Sequence, residues 1–175
     1  MQNPKLKLPS LITDGMVLQQ NEEIKIWGWA LPQEEVKVIF KEEEYLTAVN
    51  AEGEWSLFLP AQKAGGPFEM KIIAAEEITI SDILIGEVWL CSGQSNMELP
   101  LQRVKDRYAE EIAAAVNDQI REFKLPITYN FKDENKDIKG ASWKKVSQNT
   151  ISDFSALAYF FAKKLNKKYE VPVGI

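Results

Sequence analysis

Eight consecutive residues, Ile83-Leu84-Ile85-Gly86-Glu87-Val88-Trp89-Leu90, form a nearly continuous apolar run. Such a run suits a strand buried on both faces, which is the habit of parallel sheets. A parallel neighbour requires a crossover connection, usually a helix. The run therefore predicts an α/β unit. Directly after it come Cys91-Ser92-Gly93-Gln94-Ser95-Asn96-Met97-Glu98, a polar loop with a serine near its tip. Open α/β sheets bind ligands just outside the carboxyl ends of their strands, next to helix N-termini.

The downstream segments fit this reading. Asp106–Val116 places Tyr108, Ile112 and Val116 on one helical stripe, with Asn117-Asp118 ending it. Ile120–Ile127 reads as a strand with Phe123, Leu125 and Ile127 on one face. Phe131–Gly140 is polar and reads as an exposed loop. A second helix, capped by Ser152 or Asp153, carries Phe154, Leu157, Ala158, Phe161 and Leu165 at helical spacing. Its lysines Lys163, Lys164, Lys167 and Lys168 complement the helix dipole. Val171-Pro172-Val173-Gly174-Ile175 starts a further buried strand. The order β-α-β-α-β is the opening of a doubly wound sheet. The expectation is a truncated α/β domain over 83–175, the N-terminal portion of a longer protein.

Residues 1–82 read differently. Short apolar stretches recur at Met16–Leu18, Ile24–Trp29, Val36–Phe40, Tyr45–Val49, Trp55–Leu59, Phe68–Ala74 and Ile78–Ile80. Several alternate with polar residues, the period of a half-buried strand. Turn residues separate them: Asp14-Gly15, Asn21-Glu22, Leu31-Pro32, Asn50–Gly53 and Gly65-Gly66-Pro67. About seven short strands at this spacing predict an antiparallel β-sandwich-like domain over 1–82. Glu42-Glu43-Glu44 reads as a solvated hairpin end.

Charge and composition narrow the functional classes. A net charge of −5 argues against a nucleic-acid partner, which favours a basic face. No apolar run is long enough for a membrane-spanning helix, and Met1–Lys5 has no apolar signal region. Cys91 is the single cysteine and there is no histidine, so neither an internal disulfide nor a zinc site is expected.

On residue chemistry alone, Ser95 reads equally as a nucleophile or as a helix N-cap. Gly93 allows the loop to turn tightly, and backbone N–H groups at a helix start can hold an oxyanion. Met97 stands where a G-x-S-x-G elbow has its second glycine, so that motif is a poor match. Cys91, at the end of the apolar run, reads as a buried thiol.

The stretch Gly86–Glu98 resembles the first sequence block of the sialate O-acetylesterase family, carbohydrate esterases of the SGNH-hydrolase type. Three further stretches agree in order: Leu11–Gln19, Trp27-Gly28-Trp29-Ala30, and Phe154–Phe161 followed by Val171–Ile175. The resemblance implies a β-rich domain followed by a flavodoxin-like SGNH domain. It implies removal of O-acetyl groups from sialic acid or another acetylated sugar, with no metal or cofactor, in a periplasmic or secreted setting. It makes Ser95 the nucleophile, with its own N–H in the oxyanion hole. The two amides beside it, Gln94 and Asn96, are candidate substrate-binding residues on their own chemistry. The family takes its base from an Asp-x-x-His pair that these 175 residues do not contain. A serine without its base is a weak catalyst, so the chain alone is expected to be inactive. An exposed sheet edge leads us to expect self-association. The competing reading is a non-catalytic module that binds glycan or protein through Trp27, Trp29, Trp55 and Tyr45. The contrary expectation for these four aromatics is sandwich core, and it is the favoured one.

Overall fold

The computed structural model describes residues 6–132 and 134–175. Eleven strands are present among them: β1 (Leu6–Lys7), β2 (Val17–Gln19), β3 (Ile24–Ala30), β4 (Glu35–Phe40), β5 (Glu43–Ala48), β6 (Glu54–Leu59), β7 (Gly65–Ile73), β8 (Glu77–Val88), β9 (Asn117–Phe123), β10 (Trp143–Val146) and β11 (Val173–Gly174). The α-helices are α1 (Ser95–Glu98), α2 (Ala109–Ala113) and α3 (Ala156–Tyr169). Short 3₁₀ turns cover Leu101–Val104 and Ile151–Asp153.

Alternation in sequence becomes alternation in burial. Along β3, Ile24, Ile26, Gly28 and Ala30 face inward while Lys25, Trp27 and Trp29 do not. Strands β4 and β6 follow the same period. A three-stranded antiparallel sheet, β1-β3-β6, lies apart from an eight-stranded sheet in the order β10-β9-β11-β8-β7-β4-β5, with β2 paired to β8. One core cluster draws Ile26, Trp55 and Leu59 from the small sheet and Val38, Phe40, Met70, Ile72 and Ile83 from the large one. Each such side chain adds about 1.5–3 kcal/mol on burial. The β4–β5 hairpin turns through Lys41 and Glu42, both at positive φ as a tight primed turn requires, and the acidic run is exposed there.

Strand β8 is the shared element. At 12 residues it is longer than the sequence suggests, because Ile78–Ile80 joins the Ile83–Val88 part of the apolar run in one strand. The run's last two residues, Trp89 and Leu90, lie beyond the strand and are exposed, so its burial on both faces does not extend to its end. The division read between Asp82 and Ile83 falls inside β8. Asp82 itself is left-handed at φ 57°, so the strand bends there without ending. Arg121 of β9, 3% exposed, grips the bend. Its guanidinium pairs with the Asp82 carboxylate at 2.8 Å and donates to the Asp82 carbonyl and to the Asp118 carbonyl. Strand β8 pairs antiparallel with β7 and parallel with β2 and β11. The final strand β11 lies between β8 and β9, parallel to both. This is the parallel arrangement that the apolar run predicts.

Several expectations about individual elements are corrected. The helix read over Asp106–Val116 is only five residues, Ala109–Ala113, and Val116 is 71% exposed while Ala115 is buried in its place. The chain has to leave the helix early because β9 already begins at Asn117. That strand stops at Phe123, leaving Leu125 and Ile127 exposed. Pro126 between them has no N–H to give a ladder. Strand β10 has no counterpart in the sequence reading, since Trp-Lys-Lys-Val carries too little apolar pattern; Trp143 packs on Phe123 at 5.3 Å and donates to the Leu11 carbonyl. Gly65-Gly66-Pro67, read as a turn, lies at the start of β7 in an irregular register. Helix α3 buries Ala158, Tyr159 and Ala162, not Leu157 and Phe161.

Gly86 marks the tightest constraint. A Cβ there would lie 2.0 Å from the Pro172 carbonyl oxygen, so β8 and β11 pair only because the side chain is absent. Gly86→Ala is expected to destabilise the chain by roughly 3 kcal/mol or more, because the clash is with backbone and cannot relax locally. Urea unfolding read by tryptophan fluorescence checks this; a loss below about 1 kcal/mol would mean that β11 can shift aside at little cost.

Candidate active site

The loop after β8 leads directly into α1, and the start of that helix fixes its shape. Gln94, extended at φ −106° and ψ −156°, is the N-cap of α1, and its carbonyl accepts from Met97 N–H at 2.9 Å. Ser95 is the first helical residue. Its hydroxyl makes no hydrogen bond among the described residues, and its side chain caps nothing. The N-cap alternative for Ser95 therefore does not hold: Gln94 occupies that position. The first N–H groups of a helix have no intrahelical acceptor, which leaves those of Ser95 and Asn96 without one in α1.

Helix α1 is a single turn and depends on tertiary support. Ser155 provides it. Its hydroxyl donates to the Met97 carbonyl and accepts from Ala158 N–H at 3.2 Å, so the same atom ties α1 and caps α3. Backbone bonds continue the clamp: Ala156 N–H donates to the Leu99 carbonyl at 2.8 Å, and Leu101 N–H to the Phe154 carbonyl at 2.9 Å. The cap of α3 is thus Ser155, not Ser152 or Asp153, which lie in the preceding 3₁₀ turn.

A cleft of about 370 Å³ opens beside Ser95, with Gly93 and Gln94 on the loop side. Leu90, Phe123, Leu125 and Ile127 give it apolar walls, and Glu122 is the one carboxylate on its β9 side. Asn96 is exposed and is not among the residues lining it. The structure brings Ser95 and Gln94 to one cleft and leaves Asn96 outside.

Glu122 is a site residue that the sequence reading missed. It is 6% exposed and accepts from Ser155 N–H at 2.8 Å. Burial raises its pKa above the usual carboxylate range, although the Ser155 hydrogen bond and Lys124 and Lys144 oppose the shift. The signal was present: Arg121-Glu122 is a charged pair inside the apolar strand Ile120–Phe123, where an exposed pair would be out of place. Cys91 also lines the cleft. Its thiol is pushed up by burial and then by the neighbouring Glu122, so it stays protonated and is a poor nucleophile. Among the described residues, no cluster of three or more Cys, Asp or Glu side chains could hold a metal ion, and no helix is long and apolar enough to cross a membrane.

Two measurements test this geometry. Ser155→Ala removes a cap and a tether together and is expected to cost about 1–2 kcal/mol. Amide exchange at Met97 and Glu98 should accelerate in that variant; unchanged protection there would show that α1 does not rely on Ser155. Glu122 has a raised pKa in the folded state, so its contribution to stability is greatest at low pH and is lost as pH rises through that value. Glu122→Gln keeps an acceptor for Ser155, and its stability relative to the parent, followed from pH about 4.5 to 8, is expected to improve until pH passes the raised folded-state pKa and then to stay level. A constant difference across that range would mean that Glu122 ionises normally.

Comparison with known proteins bears on this cleft. No family model matches the chain. Human sialate O-acetylesterase is 27% identical over an alignment that covers 97% of this chain and 36% of that protein. The rat sialate O-acetylesterase is 28% identical over 97% of this chain and 34% of its own length. The crystal structure of a carbohydrate acetylesterase from Xanthomonas citri superposes with a TM-score of 0.93 at 36% identity, covering 97% of this chain and 39% of that one. The chain thus spans about a third of the length of the curated relatives it matches. The resemblance read from the Ser95 block is borne out by these relatives.

Proposed function

We propose that this relative of the sialate O-acetylesterases carries the nucleophile of an esterase acting on O-acetylated sialic acid or a related acetylated sugar. The observation that carries the reading is the Ser95 hydroxyl, unbonded at the start of a one-turn helix and beside an apolar-walled cleft, in a chain whose relatives are acetylesterases. The finer architecture belongs to the same reading: a β-sandwich-like part read over 1–82 and the first units of a flavodoxin-like SGNH domain read over 83–175, the two sharing strand β8.

In this mechanism the Ser95 oxygen attacks the acetyl carbonyl carbon. The acetyl–oxygen bond to the sugar breaks and the sugar leaves as its protonated alcohol. Water then cleaves the acetyl-Ser95 ester to release acetate and restore the serine. The Ser95 N–H, free of an intrahelical partner, donates to the developing oxyanion. The acetyl methyl group lies against Leu90, Leu125 and Ile127, and Gln94 is placed to donate to a sugar hydroxyl. The serine proton must pass to a base. Cys91 stays protonated, and Glu122 is engaged with Ser155. With no histidine in the sequence, the base comes from outside these 175 residues.

The expected outcome for the purified chain is no acetate release from an O-acetylated sialic acid above the Ser95→Ala background. To give Ser95 a base, the chain can replace the matching 39% of the Xanthomonas acetylesterase. The chimera should hydrolyse acetyl esters, and Ser95→Ala in it should lower kcat by about 10⁴-fold or more with the fold intact. Near-normal turnover in that variant removes Ser95 from its role.

A further inference from the structure

Two tryptophans take no part in the cleft beside Ser95. Trp27 and Trp29 sit two residues apart on β3, on the face opposite the buried Ile24, Ile26 and Ala30. Both residues are half-buried, and strand geometry spaces their Cα atoms about 6.6 Å apart. Their cross-strand partners on β6 are small or polar: Ser56 opposite Trp27, and Glu54 opposite Trp29. A cleft of about 520 Å³ opens over this face and is edged by Lys25, Thr47 and Asn50. Trp55 borders it too but is 4% exposed and belongs to the core. Tyr45 and Trp27 both pack partly against that core, and of the two only Trp27 lines the cleft. The four aromatics therefore divide by the cleft: the half-buried Trp27 and Trp29 line it, and Tyr45 does not.

We propose that this cleft is a saccharide-binding site, separate from Ser95, in which a pyranose ring stacks on Trp27. A pyranose has an apolar face of C–H groups and a rim of hydroxyls. It is matched by a flat aromatic ring with hydrogen-bonding groups at the periphery. The indole supplies a large, stiff apolar face at low conformational cost. Lys25, Thr47, Asn50 and Ser56 supply the donors and acceptors around it. A protein partner fits less well, because interface cores are depleted of charge and this cleft has Lys25, Glu54 and Lys136 in its lining. Glu54 and Lys136 are already paired at 2.6 Å, and the Lys7 ammonium lies 4.6 Å over the Trp29 ring. Trp27 is the freer platform. Lys25 makes no ion pair among the described residues and is available at its edge. The proposal does not require Ser95 to be catalytic, so either can fail without the other.

The test uses the intact chain, titrated separately with xylohexaose, cellohexaose and 3′-sialyllactose while the indole N–H resonances are followed by NMR. Saturable movement of the Trp27 resonance with at least one sugar is expected, and the neutral and sialylated arms identify which kind. Trp27→Ala should weaken that binding at least about tenfold. Ser56→Tyr fills the exposed position opposite Trp27, leaves the core untouched and should have the same effect with an unchanged circular dichroism spectrum. Ser95→Ala should bind as the parent does. No saturable shift with any of the three sugars at about 10 mM, where a millimolar Kd would already give near-saturation, overturns the proposal. So does binding that survives both groove variants, or that moves only Trp89 in the Ser95 cleft.

Discussion

The structure depends on a backbone contact that leaves no room for a side chain. Gly86 in β8 lies against Pro172, just before β11, and this approach lets β11 enter between β8 and β9. The insertion fixes where the carboxyl end of β8 points, and so where the Ser95 loop emerges. Gly174 repeats the theme one strand over, with Val17 and Trp143 where its Cβ would be. Small residues at these two places allow two parts of different character to share a single sheet.

The Ser95 loop has little intrinsic stability. A helix of one turn cannot nucleate by itself, and α1 has neither a side-chain cap nor a buried residue. Its order is borrowed from the far longer α3 through Ser155, which in turn is held by the buried Glu122. A carboxyl group in an apolar strand is costly. Here it satisfies a backbone N–H where α3 begins, and its charge adds to the burial that chiefly holds the Cys91 thiol protonated beside the serine. Glu122 therefore bears on both position and chemistry in this cleft.

Much of this was legible in the sequence. Strands with clean alternation, such as Ile24–Ala30 and Glu54–Leu59, were read nearly to their ends because a half-buried sheet leaves a period-two imprint. The apolar run at Ile83 signalled parallel pairing, and the Ser95 block pointed to the relatives that the comparisons found. Errors gathered where tertiary contacts overrode local pattern. The stripe Tyr108, Ile112 and Val116 suggested a three-turn helix, but the helix covers only Ala109–Ala113 and β9 begins at Asn117. Strand β10 carries almost no pattern because its stability comes from pairing with β9 and from Trp143 reaching across the molecule to Leu11.

By itself, the sequence determined the alternation of buried and exposed positions, the parallel character of the β8 run, and a serine at its carboxyl end in a block shared with acetylesterases. These are properties of neighbouring residues, and short-range spacing encodes them. The tertiary structure alone decided that 77–88 is one strand, that Glu122 and Ser155 hold the serine's turn, and that Trp55 is buried while Trp27 and Trp29 face a cleft. Those outcomes depend on which segments meet across long stretches of sequence, as Glu122 and Ser155 do at a separation of 33. No local periodicity records such meetings, because they are set by close packing between segments distant in the chain.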